Sequence, residues 1–199
     1  MEILSSLSHE RITLSSISDQ SVEPMVGAYP FTEQHILTGT IDYEEEYDDN
    51  RDPRVTRTVQ GTFEFRTESQ MFILKMDTDV PKPETVIQDL NTAFSRQIHI
   101  YRNLFVTPEY LWDFFENADE VLDITVLIDG EEQPYDEIED VAVEEVVGDY
   151  SIESARVVYR YNRDAVHVNY TNGSLSIRNT QDEANEYVIQ LFEKHVLAA

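Results

Sequence analysis

From residue 35 onward the chain alternates between apolar and polar positions. HILTGTIDYEEEY (35–47) and RVTRTVQGTFEFRT (54–67) both do so, and the second puts Val55, Val59, Phe63 and Phe65 on one face. Successive side chains of a strand point to opposite faces, so these runs predict a long β-hairpin over 35–67 with the polar tip EYDDNRDP. Gly39 and Gly61 lie inside the runs and mark bulges or points of close approach. Similar patterns predict strands at RITLSSI (11–17), QMFILKM (70–76), IHIYRNLFV (98–106), DITVLIDGEE (123–132) and VAVEEVV (141–147). SARVVYRY, AVHVNYT and SLSIRN then form a meander over 154–179, whose last turn, Asn172-Gly173, suits the paired positive φ angles of a type I′ turn.

Three segments switch to helical spacing. Pro83 opens a helix over 83–97 with an apolar stripe of Val86, Ile87, Leu90, Ala93 and Phe94. Thr107 and Pro108 suit the N-cap and first turn of a short helix over 108–117, whose Leu111, Trp112, Phe114 and Phe115 demand burial. Thr180 and Glu183 have capping-box spacing at the start of a helix over 180–197, where Ala184, Tyr187, Val188, Leu191, Phe192, His195 and Val196 recur at helical intervals. The expected fold is α+β: a mostly antiparallel sheet of about eight strands with two or three helices packed on one face. The length favours a single domain over 1–199. An echo of E-T-V-I-Q (84–88) in E-Y-V-I-Q (186–190) points to two merged β-meander-plus-helix halves, about 31–106 and 121–197.

Charge changes this picture. Forty Asp and Glu against fourteen Lys and Arg give −26, and the lysines are Lys75, Lys82 and Lys194 alone. Such self-repulsion destabilises a compact chain at low ionic strength, whereas in molar salt the Debye length falls to about 3 Å and the penalty fades. The composition therefore reads as adapted to a high-salt cytosol. The basic footprint that nucleic acids and anionic membranes require is missing, so direct binding to either is not expected. The acids are also concentrated: residues 103–155 hold seventeen of them with no Lys or Arg, a net −17, against −9 for the other 146 residues. Salt adaptation accounts for the total but not for this clustering.

Candidate chemistry is sparse. The absence of cysteine removes disulfides, thiolate metal sites and thiol catalysis. No apolar run is long enough to span a bilayer and the first residues lack a signal-peptide pattern, so the expected location is cytoplasmic. The five histidines are scattered, with His99, His167 and His195 expected as buried, hydrogen-bonded core residues. There is no P-loop, G-x-S-x-G or G-x-G-x-x-G, and no cofactor is expected. Asp129, Glu131, Asp136 and Glu139 are weak candidates for a hard-cation site, since calcium takes several oxygen ligands, but the D-x-D-x-D-G spacing is missing and diffuse cations on an acidic face are expected instead.

Three functions remain. The first is a non-enzymatic interaction or structural-assembly subunit, cellular or viral, that meets a protein partner or its own copies through the edge of the long hairpin. The second is an acidic module or nucleic-acid mimic that engages a basic partner through 103–155, with Glu131, Glu132, Asp136, Glu137, Glu139 and Asp140 at the contact. The third is a carboxylate- or metal-dependent enzyme without a short motif.

Overall fold

The computed structural model describes residues 7–49, 52–78, 81–94, 98–101, 106–138, 150–171 and 173–198. The chain divides into two compact units, residues 1–23 with 31–102, and residues 24–30 with 103–199.

The first unit carries an antiparallel sheet of β1 (Leu7–His9), β2 (Ile12–Ser21), β3 (His35–Asp49), β4 (Asp52–Arg66) and β5 (Phe72–Met76), in that spatial order. The register sets Tyr43 opposite Val59 and Ile41 opposite Gly61, so the apolar positions of neighbouring strands share one face. Helix α1 (Pro83–Ala93) covers that face, packing Val86 and Leu90 with Ile12, Leu14, Ile41, Tyr43 and Phe63. Each such side chain contributes about 1.5–3 kcal/mol on leaving water. The Tyr43 hydroxyl donates to Asp89 Oδ2 at 2.8 Å, pinning the helix to the sheet.

In the second unit the sheet contains β6 (Glu120–Ile128), β7 (Glu131–Pro134), β8 (Ile152–Tyr161), β9 (Asp164–Thr171) and β10 (Ser174–Arg178), ordered β7-β6-β8-β9-β10. Helices α2 (Pro108–Glu116) and α3 (Asp182–Phe192, continued by a π-helical turn Glu193–Leu197) build the core with it. Phe114 sits edge-on to Phe192 with ring centroids 5.2 Å apart, and the buried Tyr159 hydroxyl donates to the Phe114 carbonyl. Residues 24–30 are stitched onto α3 and its π-helical turn: Met25 N–H donates to Gln190 Oε1 at 2.7 Å and the Tyr29 hydroxyl to Glu193 Oε2 at 2.5 Å. Both acceptors belong to fully buried side chains.

The two sheets have a similar spatial layout but not the same chain order, since β1 precedes β2 whereas β7 follows β6 and β6 pairs with β8. A short edge strand, β1 or β7, flanks β2 or β6; a meander of three more strands and a helix, α1 or α3, completes each. The echoed valines, Val86 and Val188, are both fully buried.

The α+β antiparallel architecture is as expected, with ten strands among the described residues rather than about eight. Strands β1 and β7 are three and four residues long, too short to show a clear alternation. Residues 98–101 are not a strand; the Asn91 amide takes both backbone groups of Ile100, donating to its carbonyl at 2.9 Å and accepting from its N–H at 2.7 Å. The capping box at Thr180 does not form. Gln181 is the N-cap of α3, and the Asn179 side chain accepts the Gln181 N–H at 2.6 Å. Helix α1 belongs to the first unit and α2 and α3 to the second. The expected strand over 141–147, the end of the helix over 83–97, and Asn172 lie outside the described residues. No helix among the described residues is long and apolar enough to cross a membrane.

Gly61 marks a close approach, and Gly39 marks both a close approach and a bulge, since Ser16 and Ile17 of β2 lie opposite it between the Ser15–Thr40 and Ser18–Thr38 pairs. A Cβ on Gly61 would lie 2.7 Å from the Lys75 carbonyl oxygen, and one on Gly39 would lie 2.6 Å from the Phe63 ring. Gly61→Ala must push β5 away from β4 and should cost about 1–3 kcal/mol by chemical denaturation. Gly27→Ala, with nothing within 4 Å, should stay within about 0.5 kcal/mol of the parent.

Burial pushes the Tyr159 phenol far above its ordinary value, with Asp113 adding to the shift, and also raises Tyr43 and Tyr170. These groups keep their protons in the folded chain while the unfolded chain ionises them near pH 10. Their contribution is therefore complete below about pH 10 and is lost as pH rises beyond it. The urea midpoint should fall steadily between about pH 9 and 11, and Tyr159→Phe should flatten that fall.

Candidate functional site

Among the described residues, Asp129, Glu131, Glu132, Asp136 and Glu137 lie along one edge of the second sheet and the turn that follows it. Asp129 and Gly130 form the turn between β6 and β7 with φ of 52° and 86°, both in the left-handed region that glycine and Asp tolerate best. The turn sets Glu131 opposite Ile128 and Glu132 opposite Leu127. Successive residues face opposite ways, so these two exposed carboxylates lie on the two faces of an edge strand. Pro134 ends that strand, where a missing N–H is tolerated. Tyr135 then tilts against Trp112 at a centroid distance of 5.1 Å, and the indole donates to the Tyr150 carbonyl at 3.2 Å. That anchor leaves Asp136 and Glu137 exposed on a single 3₁₀ turn. Glu139 and Asp140 lie outside the described residues.

Other acids of the 103–155 segment have different surroundings. Arg156 donates through Nε to Asp123 at 2.7 Å, Arg160 lies 3.9 Å from Glu120, the Arg160 N–H donates to Asp119, and His195 pairs with Asp113. The arginines stand just beyond the acidic segment in sequence and opposite it in space, which a linear charge count cannot reveal. Among the described residues Asp129, Glu131, Glu132, Asp136 and Glu137 form no ion pair, and no group of three possible ligands is placed to hold a metal ion.

Two of the histidines differ from expectation. His99 and His167 are exposed, the first edge-on to Tyr101 and the second on the outer face of β9; His195 alone is mostly covered, tying the end of the chain to α2.

A second candidate lies in the first unit, where β3 and β4 outrun their flanking strands. The final backbone bonds to their neighbours are Glu44 N–H to the Arg11 carbonyl at 2.8 Å and Asp77 N–H to the Gln60 carbonyl at 2.9 Å. Beyond these, among the described residues, the two strands pair only with each other: Glu45 with Arg57, Glu46 with Thr56, Tyr47 with Val55, Asp49 with Asp52. In an antiparallel strand alternate residues turn both backbone groups to the same side. Glu44 and Gln60 point outward, so Glu46 on one edge, and Thr58 and Thr56 on the other, do likewise. The hairpin's length was legible in the sequence; the direction of its backbone groups needed the register.

The two edges also differ in charge. Residues 44–49 of β3 contain five acids and no base, whereas residues 52–60 of β4 contain Arg54 and Arg57 against Asp52 alone. Arg57 Nε donates to Glu45 Oε2 across the hairpin at 2.7 Å.

Neutralising Glu131, Glu132, Asp136 and Glu137 to their amides removes repulsion from an exposed edge. The thermal midpoint should rise at low ionic strength and be unchanged in molar salt, where the Debye length is about 3 Å. Comparison with protein-family models, curated proteins and solved structures finds no match to this chain.

Proposed function

We propose that the protein is a non-enzymatic subunit of a protein assembly, cellular or viral, that works in a high-salt cytosol and meets its neighbours by strand addition along the free part of the β3–β4 hairpin. The observation that carries this reading is the excess length of that hairpin over what a similar spatial layout needs. By position in the sheet, β8 and β9 are the counterparts of β3 and β4; they are 10 and 8 residues long and close through Asn162 and Arg163, whereas β3 and β4 have 15 each. An isolated two-stranded ribbon is marginal in water, and its outward N–H and C=O groups are a ready template for another strand. Edge addition of this kind takes its affinity from main-chain hydrogen bonds.

A basic protein docking on Glu131, Glu132, Asp136 and Glu137 is the second reading, supported by their exposure and lack of ion pairs among the described residues. It has no matching excess of structure behind it, since β7 is a four-residue edge strand.

Thr58→Pro tests the first reading, because it removes an outward N–H and leaves the bonds between β3 and β4 intact. In light scattering at molar salt the parent should exceed the 23.1 kDa monomer mass. The variant should associate at least about tenfold more weakly, as loss of about 1 kcal/mol per hydrogen bond and obstruction by the ring together imply. Equal masses for parent and variant, whether monomeric or assembled, would overturn the reading.

A further inference from the structure

We infer that the neighbour is a second copy of this chain, and that the β4 edge of one copy pairs with the β3 edge of the next. This rests on the strand-addition reading and adds the partner and the symmetry.

Charge complementarity carries the inference. A carboxylate-rich edge alone is an ordinary device for keeping strands apart, since like charges directly opposite each other destabilise a sheet. Here the other edge of the same hairpin is different: in a chain of net charge −26, residues 52–60 carry a net +1, and residues 44–49 carry −5. Pairing β3 with β3 would set five acids against five. Pairing β4 with β3 sets a segment of net +1 against one of net −5, with the outward backbone groups of Thr56 and Thr58 facing the outward parity of β3, that of Glu46. Because β3 and β4 run antiparallel within the hairpin, ribbons laid side by side in the same orientation keep every junction antiparallel.

The overall charge bears on where this works. Two copies at −26 repel at long range, and molar salt suppresses that repulsion because the Debye length is then about 3 Å. Groups in hydrogen-bond contact lie within that length and still discriminate between edges. A head-to-tail contact of this kind leaves a free edge at each end of the pair, so growth continues to a row or closes into a ring rather than stopping at a two-fold dimer.

Two variants test it at molar salt. One reverses the β3 edge with Glu44→Lys, Glu46→Lys and Asp48→Lys; the other makes the β4 edge acidic with Arg54→Glu and Arg57→Gln, which keeps a hydrogen-bonding partner for Glu45. Each alone has edges of matching sign and should be monomeric by light scattering, with circular dichroism reporting the parental fold. An equimolar mixture should recover the parental mass, because each edge then meets its complement on the other variant. Single variants that assemble like the parent, or folded variants whose mixture stays monomeric, would overturn the head-to-tail pairing. If the parent assembles and Thr58→Pro weakens it, strand addition survives that failure; if the parent is monomeric, strand addition itself is lost.

Discussion

A helix stripe meeting the inward face of an antiparallel meander is the contact on which each unit depends. Val86 and Leu90 on α1, and Val188 and Phe192 on α3, are all fully buried, and without them the alternating faces of the strands would have nothing to pack against. That contact also settles the register. Side chains alternate with a period of two, so slipping β4 by one residue would turn Val59 and Phe63 outward and bring Thr58 and Thr62 in. The buried helix thereby dictates, several residues away, that the backbone of Thr56 and Thr58 faces out of the hairpin.

The elements that a single sequence revealed are those whose buried faces are long enough to repeat. β3 and β4 run for 15 residues each and announce themselves by alternation; α3 does so through its apolar spacing. Where the sequence misled, a local side chain had overridden a generic preference. IHIY is rich in β-formers, yet the Asn91 amide occupies both polar groups of Ile100, and Thr180 has the right spacing for a cap that Asn179 pre-empts. Histidines in apolar-looking strands are exposed for a simpler reason: His167 falls on the outward parity of β9, between Val166 and Val168, both buried.

Candidate surfaces were legible to different depths. Glu131, Glu132, Asp136 and Glu137 could be chosen from the charge run alone, and they do share one edge and its following turn. The difference between them and Asp123 or Glu120 could not, because Arg156 and Arg160 come close only through the β6–β8 ladder. The concentration of charge in sequence thus separates in space into acids that meet arginine and acids that face solvent. The hairpin shows the converse: acids and arginines a few positions apart in sequence are set on opposite edges of one ribbon.

Residues 24–30 give the second unit an unusual inheritance. Met25 and Tyr29 reach partners 165 and 164 positions away, so no contiguous piece of the chain contains the whole second unit without also containing residues 31–102 of the first. A recombination that moved 103–199 as a cassette would carry the buried Gln190 and Glu193 away from two of their donors. Contacts of such long sequence separation also carry a large loop-closure entropy cost, which local contacts do not. The two units are therefore bound to a common history by a seven-residue detour.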